Sequence, residues 1–531
     1  MTDYDYIIVG AGSAGCVLAN RLSADPAIRV LLIEAGGRDN ALNVRMPAGT
    51  LALLTKPNRF NWSRISEEQP HLDNRRTYWP SGRGWGGTSS INGMAYLRGQ
   101  PADYDGWAAQ GLSDWSFDAL LPYFKLSEDN ARGADDFHAT GGPLHVSDPR
   151  GLLPLSRAFL DAGVAAGHPL SPDFNGAQQE GVGVVQLTIR KGIRWSTSRA
   201  FLHPILSRPN LTVASYAHVT RLLTDGTHVR GVEFKREGRL HQRSAAREVI
   251  LSAGVVSTPQ LLMLSGIGDA TDLRQHGITV VADRPEVGRN LQDHIDCMIQ
   301  HECPLPVSLY KYQAPFAAMK VGAQYLLRKT GPAAGIGVEV GAFLKSDPAL
   351  ATPDLQMSFT NALMTETGVN RHGFMIHVWH LRPDSRGYIT LRSRDPMEPP
   401  VIQPNYLSRP KEALALRSGI RFARNILNQA PFDPYRGAEL SPGPSVQSDA
   451  EIDSFMRATA TGLWHPVGTA RMGVDADAVV DARLRVNGVT GLRIADASIM
   501  PTVVSANTNA AVIMIAEKAA AMILEDARRT A

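Results

Sequence analysis

The chain opens on Tyr4–Val9, a run that begins mixed and turns fully apolar, as expected of a strand buried on both faces. Residues 14–23 then read as a helix, and 30–34 as a second buried strand. Strand, helix and strand in this order form a βαβ unit, whose two strands are parallel because a crossover joins them. The passage from strand through loop to helix recurs twice. Residues 248–252 run through Ala253-Gly254 into an apolar helix over 258–264, and 492–495 lead through Asp496 to the C-terminal helix. If the three passages share one sheet, that domain is discontinuous in sequence.

The intervening pattern is different. Runs at 355–359, 374–381 and 388–391 are broken by Arg382-Pro383 and by Ser385-Arg386-Gly387, which predicts an antiparallel sheet. Residues 431–445 read as loop. The expected fold class is therefore α/β plus α+β. A Rossmann-like dinucleotide domain takes 1–155, 200–298 and 462–531, and a domain on the antiparallel sheet takes 156–199 and 299–461.

Composition narrows the class. With 531 residues the chain exceeds one compact core. Lys plus Arg is 54 against 51 for Asp plus Glu, so no strongly basic surface marks a nucleic-acid binder. Arg236, Arg239, Arg243 and Arg247 flank Glu237-Gly238 and read as a solvated hairpin. Cys16, Cys297 and Cys303 have neither metal-ligand spacing nor an even count, so no metal site is expected and a reducing, cytoplasmic compartment is. No run reaches the roughly 20 apolar residues of a membrane span, since 510–524 is interrupted by Glu517 and Lys518. That leaves room for peripheral membrane contact.

Gly10-Ala11-Gly12-Ser13-Ala14-Gly15 follows the first strand directly. Gly10 suits the tight turn, Gly12 admits a pyrophosphate to the backbone, and Gly15 allows close helix–strand packing. The helix N-terminus then faces the phosphate charge. Glu34, at the end of the second strand, is placed to accept hydrogen bonds from ribose hydroxyls, and its charge disfavours a 2′-phosphate. The segment Gly82 to Tyr96 (GRGWGGTSSINGMAY) is too rich in small residues for a core helix and suits a backbone lying against a flat ligand.

That segment, with Gly99 and Asp105, resembles the first signature of the glucose-methanol-choline (GMC) oxidoreductase family. Residues 254–268 (GVVSTPQLLMLSGIG) resemble the second signature, with Val255 where a smaller residue is usual. Residues 287–294 (VGRNLQDH) and 493–501 (RIADASIMP) resemble further family blocks. The resemblance runs from Tyr4 to the C-terminal helix and implies FAD. It assigns Gly10, Gly12, Ser13, Ala14, Gly15, Glu34 and Ala35 to the ADP half. Gly87, Thr88, Asn92, Gly93, Met94 and Ala95 go to the pyrophosphate and isoalloxazine. Val219 goes to the adenine, and Asp496 and Ala497 to the ribityl–pyrophosphate region. Some family members bind FAD covalently through a histidine just before the Asn of the first signature. Ile91 stands there, which implies a non-covalent flavin.

His465, between Trp464 and Pro466, resembles the histidine of the family's active-site block. It implies a base that takes a hydroxyl proton as hydride leaves the carbon for flavin N5, a task that suits imidazole. In the family its partner is a second His or an Asn. Counting back from Ala516-Glu517-Lys518 assigns Asn509 to catalysis and leaves Asn507 or Thr508 to cap the helix. Glu339 resembles the carboxylate that faces the substrate cation in choline enzymes, and Trp62 and Trp464 offer aromatic faces. The whole resembles the choline-dehydrogenase-like branch, which includes L-sorbose, polyethylene glycol and alkanol dehydrogenases. The expected substrate is a primary alcohol and the acceptor a quinone. An oxidase passing electrons to oxygen, a lyase on the same fold, and an FAD-binding protein without turnover remain the alternatives.

Overall fold

The computed structural model describes residues 4–363 and 370–530. Two seven-stranded sheets organise them. In the first, the strands run in the order Leu211–Ala214, Val30–Ile33, Tyr4–Val9, Arg239–Leu251, His228–Arg236, Ala217–Asp225, with Leu492–Ile494 also paired to Arg239–Leu251. The three passages read from the sequence therefore share one sheet. Arg239–Leu251 does two jobs. Its first half closes an antiparallel hairpin on His228–Arg236, while its second half pairs in parallel with Tyr4–Val9 and Leu492–Ile494. The arginine-rich turn at Glu237-Gly238 is that hairpin, with Arg236 and Arg239 exposed.

The second sheet runs Glu439–Ser441, Ile295–Glu302, Gly373–His380, Leu355–Thr360, Val338–Leu344, Gly181–Val184, with Thr461–Gly462 also paired to Ile295–Glu302, antiparallel throughout. The run at 388–391 does not belong to it. Tyr388–Thr390 pairs only with Val401–Gln403, because Ser385-Arg386-Gly387 turns the chain away after the sheet ends at His380. The expected loop at 431–445 holds the edge strand Glu439–Ser441.

One face of the second sheet is covered by the helices Pro154–Ala165 and Pro410–Leu427. Phe159 and Phe359 pack with ring centroids 5.1 Å apart, and Gly419 lies so close that a Cβ there would fall 2.5 Å from Val378 Cγ1. Alternation then turns Gln356 and Trp379, which pair directly across the sheet, toward the other face. The C-terminal helix Asn509–Thr530 is a core element packed on the first helix, Ser13–Leu22. Glu517 and Lys518, which interrupt its apolar run, are satisfied in place: Arg21 pairs with Glu517 at 2.6 Å, and Lys518 donates to the Asp114 carbonyl at 2.7 Å. No helix among the described residues is long and apolar enough to cross a membrane.

Candidate active site

A long cavity opens where the parallel strands end. Gly10, Gly12, Ser13, Ala14, Glu34, Ala35, Gly87, Thr88, Val219, Asp496 and Ala497 all line it. The glycines there have different reasons. A Cβ on Gly15 would meet the Gly10 carbonyl at 1.8 Å, and one on Gly10 would meet the Ser252 carbonyl at 2.4 Å, so the protein's own packing demands both. Gly15 accordingly lies behind the cavity rather than in its wall. A Cβ on Gly12 would meet nothing nearer than 3.8 Å, and its φ is −73°. Folding does not require glycine at 12, so the space left there is space for a ligand. Gly12 also caps the first helix without any side-chain bond, which leaves backbone N–H groups and the positive helix end open to a phosphate. A dinucleotide fits this cradle.

Glu34 is held more tightly than the sequence suggests. Its carboxyl accepts from the N–H groups of Ala11 (2.9 Å), Gly36 (2.8 Å) and Gly84 (2.9 Å). Burial pushes it above the usual carboxylate range, and these three bonds oppose the shift. A carboxylate has about four lone-pair sites, so capacity for a ribose hydroxyl remains. Asp496 has none to spare. Its side chain accepts from Gly254 N–H, Thr258 Oγ1, Ser498 N–H and Ser498 Oγ, and so fixes the loop that forms this part of the cavity wall. Asn92, Gly93, Met94 and Ala95 stand off this cavity, toward the second sheet. Met94 packs with Phe343 and Trp379, and Gly93 faces Ile336.

His465 sits between two residues of the cavity wall, Trp464 and Pro466, with its own side chain directed to the second sheet. Its neighbours settle which nitrogen carries a proton. The Leu381 carbonyl can only accept, so His294 Nε2–H donates to it (3.0 Å). A neutral His294 then presents a lone pair at Nδ1, and His465 Nδ1–H donates to that lone pair at 3.0 Å. His465 Nε2 is left as the acceptor, and Asn507 Nδ2–H donates to it at 2.8 Å. Burial holds both rings neutral. It takes His294 down to about 3 and takes His465 well below the ordinary imidazole value, where any positive charge on the adjoining His294 would push it lower still. The loop is pinned by Asp293, which accepts from the His465 backbone N–H (2.6 Å) and from Tyr406 Oη (2.5 Å); burial pushes its carboxyl up to about 7.

Asn509 is not the residue beside His465. It accepts from Ser13 Oγ at 2.7 Å and lines the dinucleotide cavity. The two asparagines stand two positions apart where the chain enters its last helix, so they face opposite ways. The pairing expected for Asn509 is made by Asn507, and Asn507 is no cap.

The substrate trio also separates. Trp62 lies beside His218, with ring centroids 5.9 Å apart, and the guanidinium groups of Arg64 and Arg83 approach its ring at 4.9 and 4.8 Å. Its faces are taken, and it belongs to the dinucleotide cavity. Trp464 lines the same cavity and donates from Nε1 to the Tyr78 carbonyl at 3.0 Å. Glu339 accepts the Leu153 N–H at 2.8 Å, where helix Pro154–Ala165 begins, so its carboxylate has a structural task. Sequence reasoning missed two groups instead. Gln356 Oε1 and Trp379 Nε1 are buried without a partner. Gln356 Nε2 lies 3.5 Å from Asn507 Oδ1, and the Trp379 ring lies 6.5 Å from that of His465. Gln356 Oε1 and Trp379 Nε1 are therefore free to bond a polar group. Among the described residues no cluster is placed to hold a metal ion.

Two family models, both described as GMC oxidoreductase, match residues 4–296 and 383–516. The chain is 45% identical to mitochondrial choline dehydrogenase of Mus musculus, over 98% of this chain and 89% of that one. It is 44% identical to an alcohol dehydrogenase (acceptor) of Pseudomonas putida, covering 98% and 96%. Among solved structures, pyridoxine 4-oxidase from Mesorbium loti superposes with a TM-score of 0.89 at 33% identity, covering 98% and 99%.

Proposed function

This chain belongs to the GMC oxidoreductase family as an FAD-dependent oxidoreductase of CH–OH donors, and we propose that it oxidises a primary alcohol to the aldehyde with His465 as base. Bound FAD supplies the hydride acceptor. The observation that carries the reading is the one-way hydrogen-bond chain from Leu381 through His294 and His465 to Asn507. It leaves a lone pair on His465 Nε2 next to an amide donor. A substrate hydroxyl that opens the 2.8 Å His465–Asn507 contact donates to Nε2 and accepts from Asn507 Nδ2–H. His465 then takes the hydroxyl proton as hydride leaves the carbinol carbon, and Asn507 holds the oxygen in line without competing for that proton. His294 keeps Nδ1–H of His465 committed throughout, so only Nε2 can accept.

Non-covalent flavin is supported by Ile91, whose side chain is buried among Val44, Leu53 and Phe60. Asn92 to Ala95 are assigned to the flavin ring end, Val219 to the adenine and Asn509 to the cofactor. Gln356 and Trp379 are assigned to a second polar group on the alcohol, since one hydroxyl can donate to Oε1 and accept from Nε1. The acceptor is assigned as quinone-like. The two sheets are assigned as cofactor and substrate halves, with the segments given above.

The test is to release the flavin by denaturation and then mix intact protein anaerobically with monoalcohols, diols and choline. Bleaching by primary alcohols supports the reading, and no bleaching by any member of the panel would reject it. Recovery of colour with a quinone but not with air supports the acceptor, whereas recovery in air identifies an oxidase.

A further inference from the structure

The helix Pro315–Arg328 carries its apolar side chains outward. Phe316 is 75% exposed, Met319 63%, Leu326 55% and Leu327 84%, and Ala323 between them is exposed as well. At 3.6 residues per turn these five positions fall within an arc of about 100°. Tyr325, on the opposite side, is the one buried residue of the helix, held by its hydroxyl to the Arg45 carbonyl at 3.3 Å. A helix that packs only on a protein core turns its apolar stripe inward, and this one does the reverse. Exposed apolar surface of this extent, in a continuous stripe, marks a contact with something else.

Charge identifies the contact. From residue 303 to 338 the sequence contains no Asp or Glu, but has Lys311, Lys320, Arg328 and Lys329. Lys320 borders the stripe, Arg328 lies farther round on the same side, and both are exposed. Two further basic segments meet the end of the helix. Arg150 donates to the Lys329 carbonyl at 3.4 Å, and Gly192, next to Arg190 and Lys191, lies against the same carbonyl. An apolar stripe in a segment that carries cations and no acidic residue is the composition of a helix lying in a membrane interface, with its apolar side among acyl chains and its cations at anionic headgroups. A soluble acidic protein would satisfy the cations but not the stripe. The chain continues from this helix through residues 329–335 to Ile336, which faces Gly93 on the active-site side. The docking surface thus adjoins the substrate half.

We propose that the helix Pro315–Arg328 docks this protein on an anionic phospholipid bilayer. The test is flotation of the FAD-loaded full chain with vesicles of phosphatidylcholine alone or mixed with phosphatidylglycerol, alongside a Phe316→Ser/Leu327→Ser variant. Both replaced side chains are exposed, so flavin content, melting temperature and activity with a soluble dye are expected to stay unchanged. The wild type is expected to float with the mixed vesicles and much less with phosphatidylcholine alone. The variant is expected to lose binding by at least about tenfold, and rising salt to weaken the wild type. Absence of wild-type binding to the mixed vesicles, or equal binding by the variant, overturns the proposal. So does a wild-type dimer by light scattering that becomes a monomer in the variant, because a second copy would then cover the stripe.

Discussion

His465 differs from an ordinary buried histidine in having both ring nitrogens given fixed, opposite roles by their neighbours. Burial alone would keep it neutral but leave the tautomer open; the Leu381 carbonyl, acting through His294, closes that choice. It follows that His294→Asn, which keeps an acceptor in place of Nδ1, should retain more flavin-reduction rate than His294→Leu, with equal flavin bound in both; equal rates would remove the relay. The asparagines give a sharper contrast. Asn507→Leu is expected to keep its flavin and slow reduction by about 10²–10³-fold, the usual loss for a donor at the reacting oxygen. Asn509→Leu is expected to lose flavin, read from the flavin-to-protein absorbance ratio, while each bound flavin reacts near the normal rate. His465 could be named as the candidate base from the sequence through the block around it. Its partner was not, because two asparagines two apart offer the same chemistry and only the turn before the last helix decides which faces the ring. Gln356 and Trp379 gave no signal at all, since alternation places a residue on a face without saying that its polar atom lacks a partner.

At the scale of elements, the βαβ unit was legible almost residue by residue, since the turn, the helix start and Glu34 are local features. The glycine motif nevertheless mixes two kinds of requirement that the sequence shows alike. Gly15→Ala would force a Cβ to within 1.8 Å of a backbone oxygen and is expected to destabilise the protein by about 3 kcal/mol. Gly12→Ala meets no such clash, so the flavin-free protein is expected to melt as the wild type does while failing to retain FAD. Thermal melts of the two variants, beside their flavin content, check this; a Gly12→Ala protein with full flavin would place the ligand elsewhere. The Tyr388–Thr390 run shows where reading fails: extended pattern and strand pairing are different things, and pairing is set by partners distant in sequence.

At the scale of the whole molecule, loops distant in sequence are tied together by buried polar clusters. In one of them Arg98, Glu128, His138 and Asp173 converge, with Arg98 on Glu128 at 2.8 Å and His138 bonded to Glu128 (3.0 Å) and Asp173 (2.6 Å). Burial by itself would lower His138, but the two carboxylates outweigh it and raise it to about 9; its hydrogen bonds likewise hold both carboxylates below their usual range despite burial. A raised folded-state pKa gives stability that is complete below the unfolded value of about 6.5 and is lost as pH rises through 9. The melting temperature is therefore expected to fall between those limits, and the slope to flatten in His138→Asn; an unchanged slope would assign it to other groups. None of this cluster was visible in the sequence, where its members lie 10 to 75 positions apart.

The central claim is that His465 takes the alcohol proton during hydride transfer to FAD. Anaerobic stopped-flow reduction of His465→Ala against the wild type, using whichever alcohol bleaches the wild type best, tests it most directly. The account predicts normal flavin content and reduction slowed by about 10²–10⁴-fold, as for a lost general base. Reduction at the wild-type rate by a flavin-replete His465→Ala protein would contradict it.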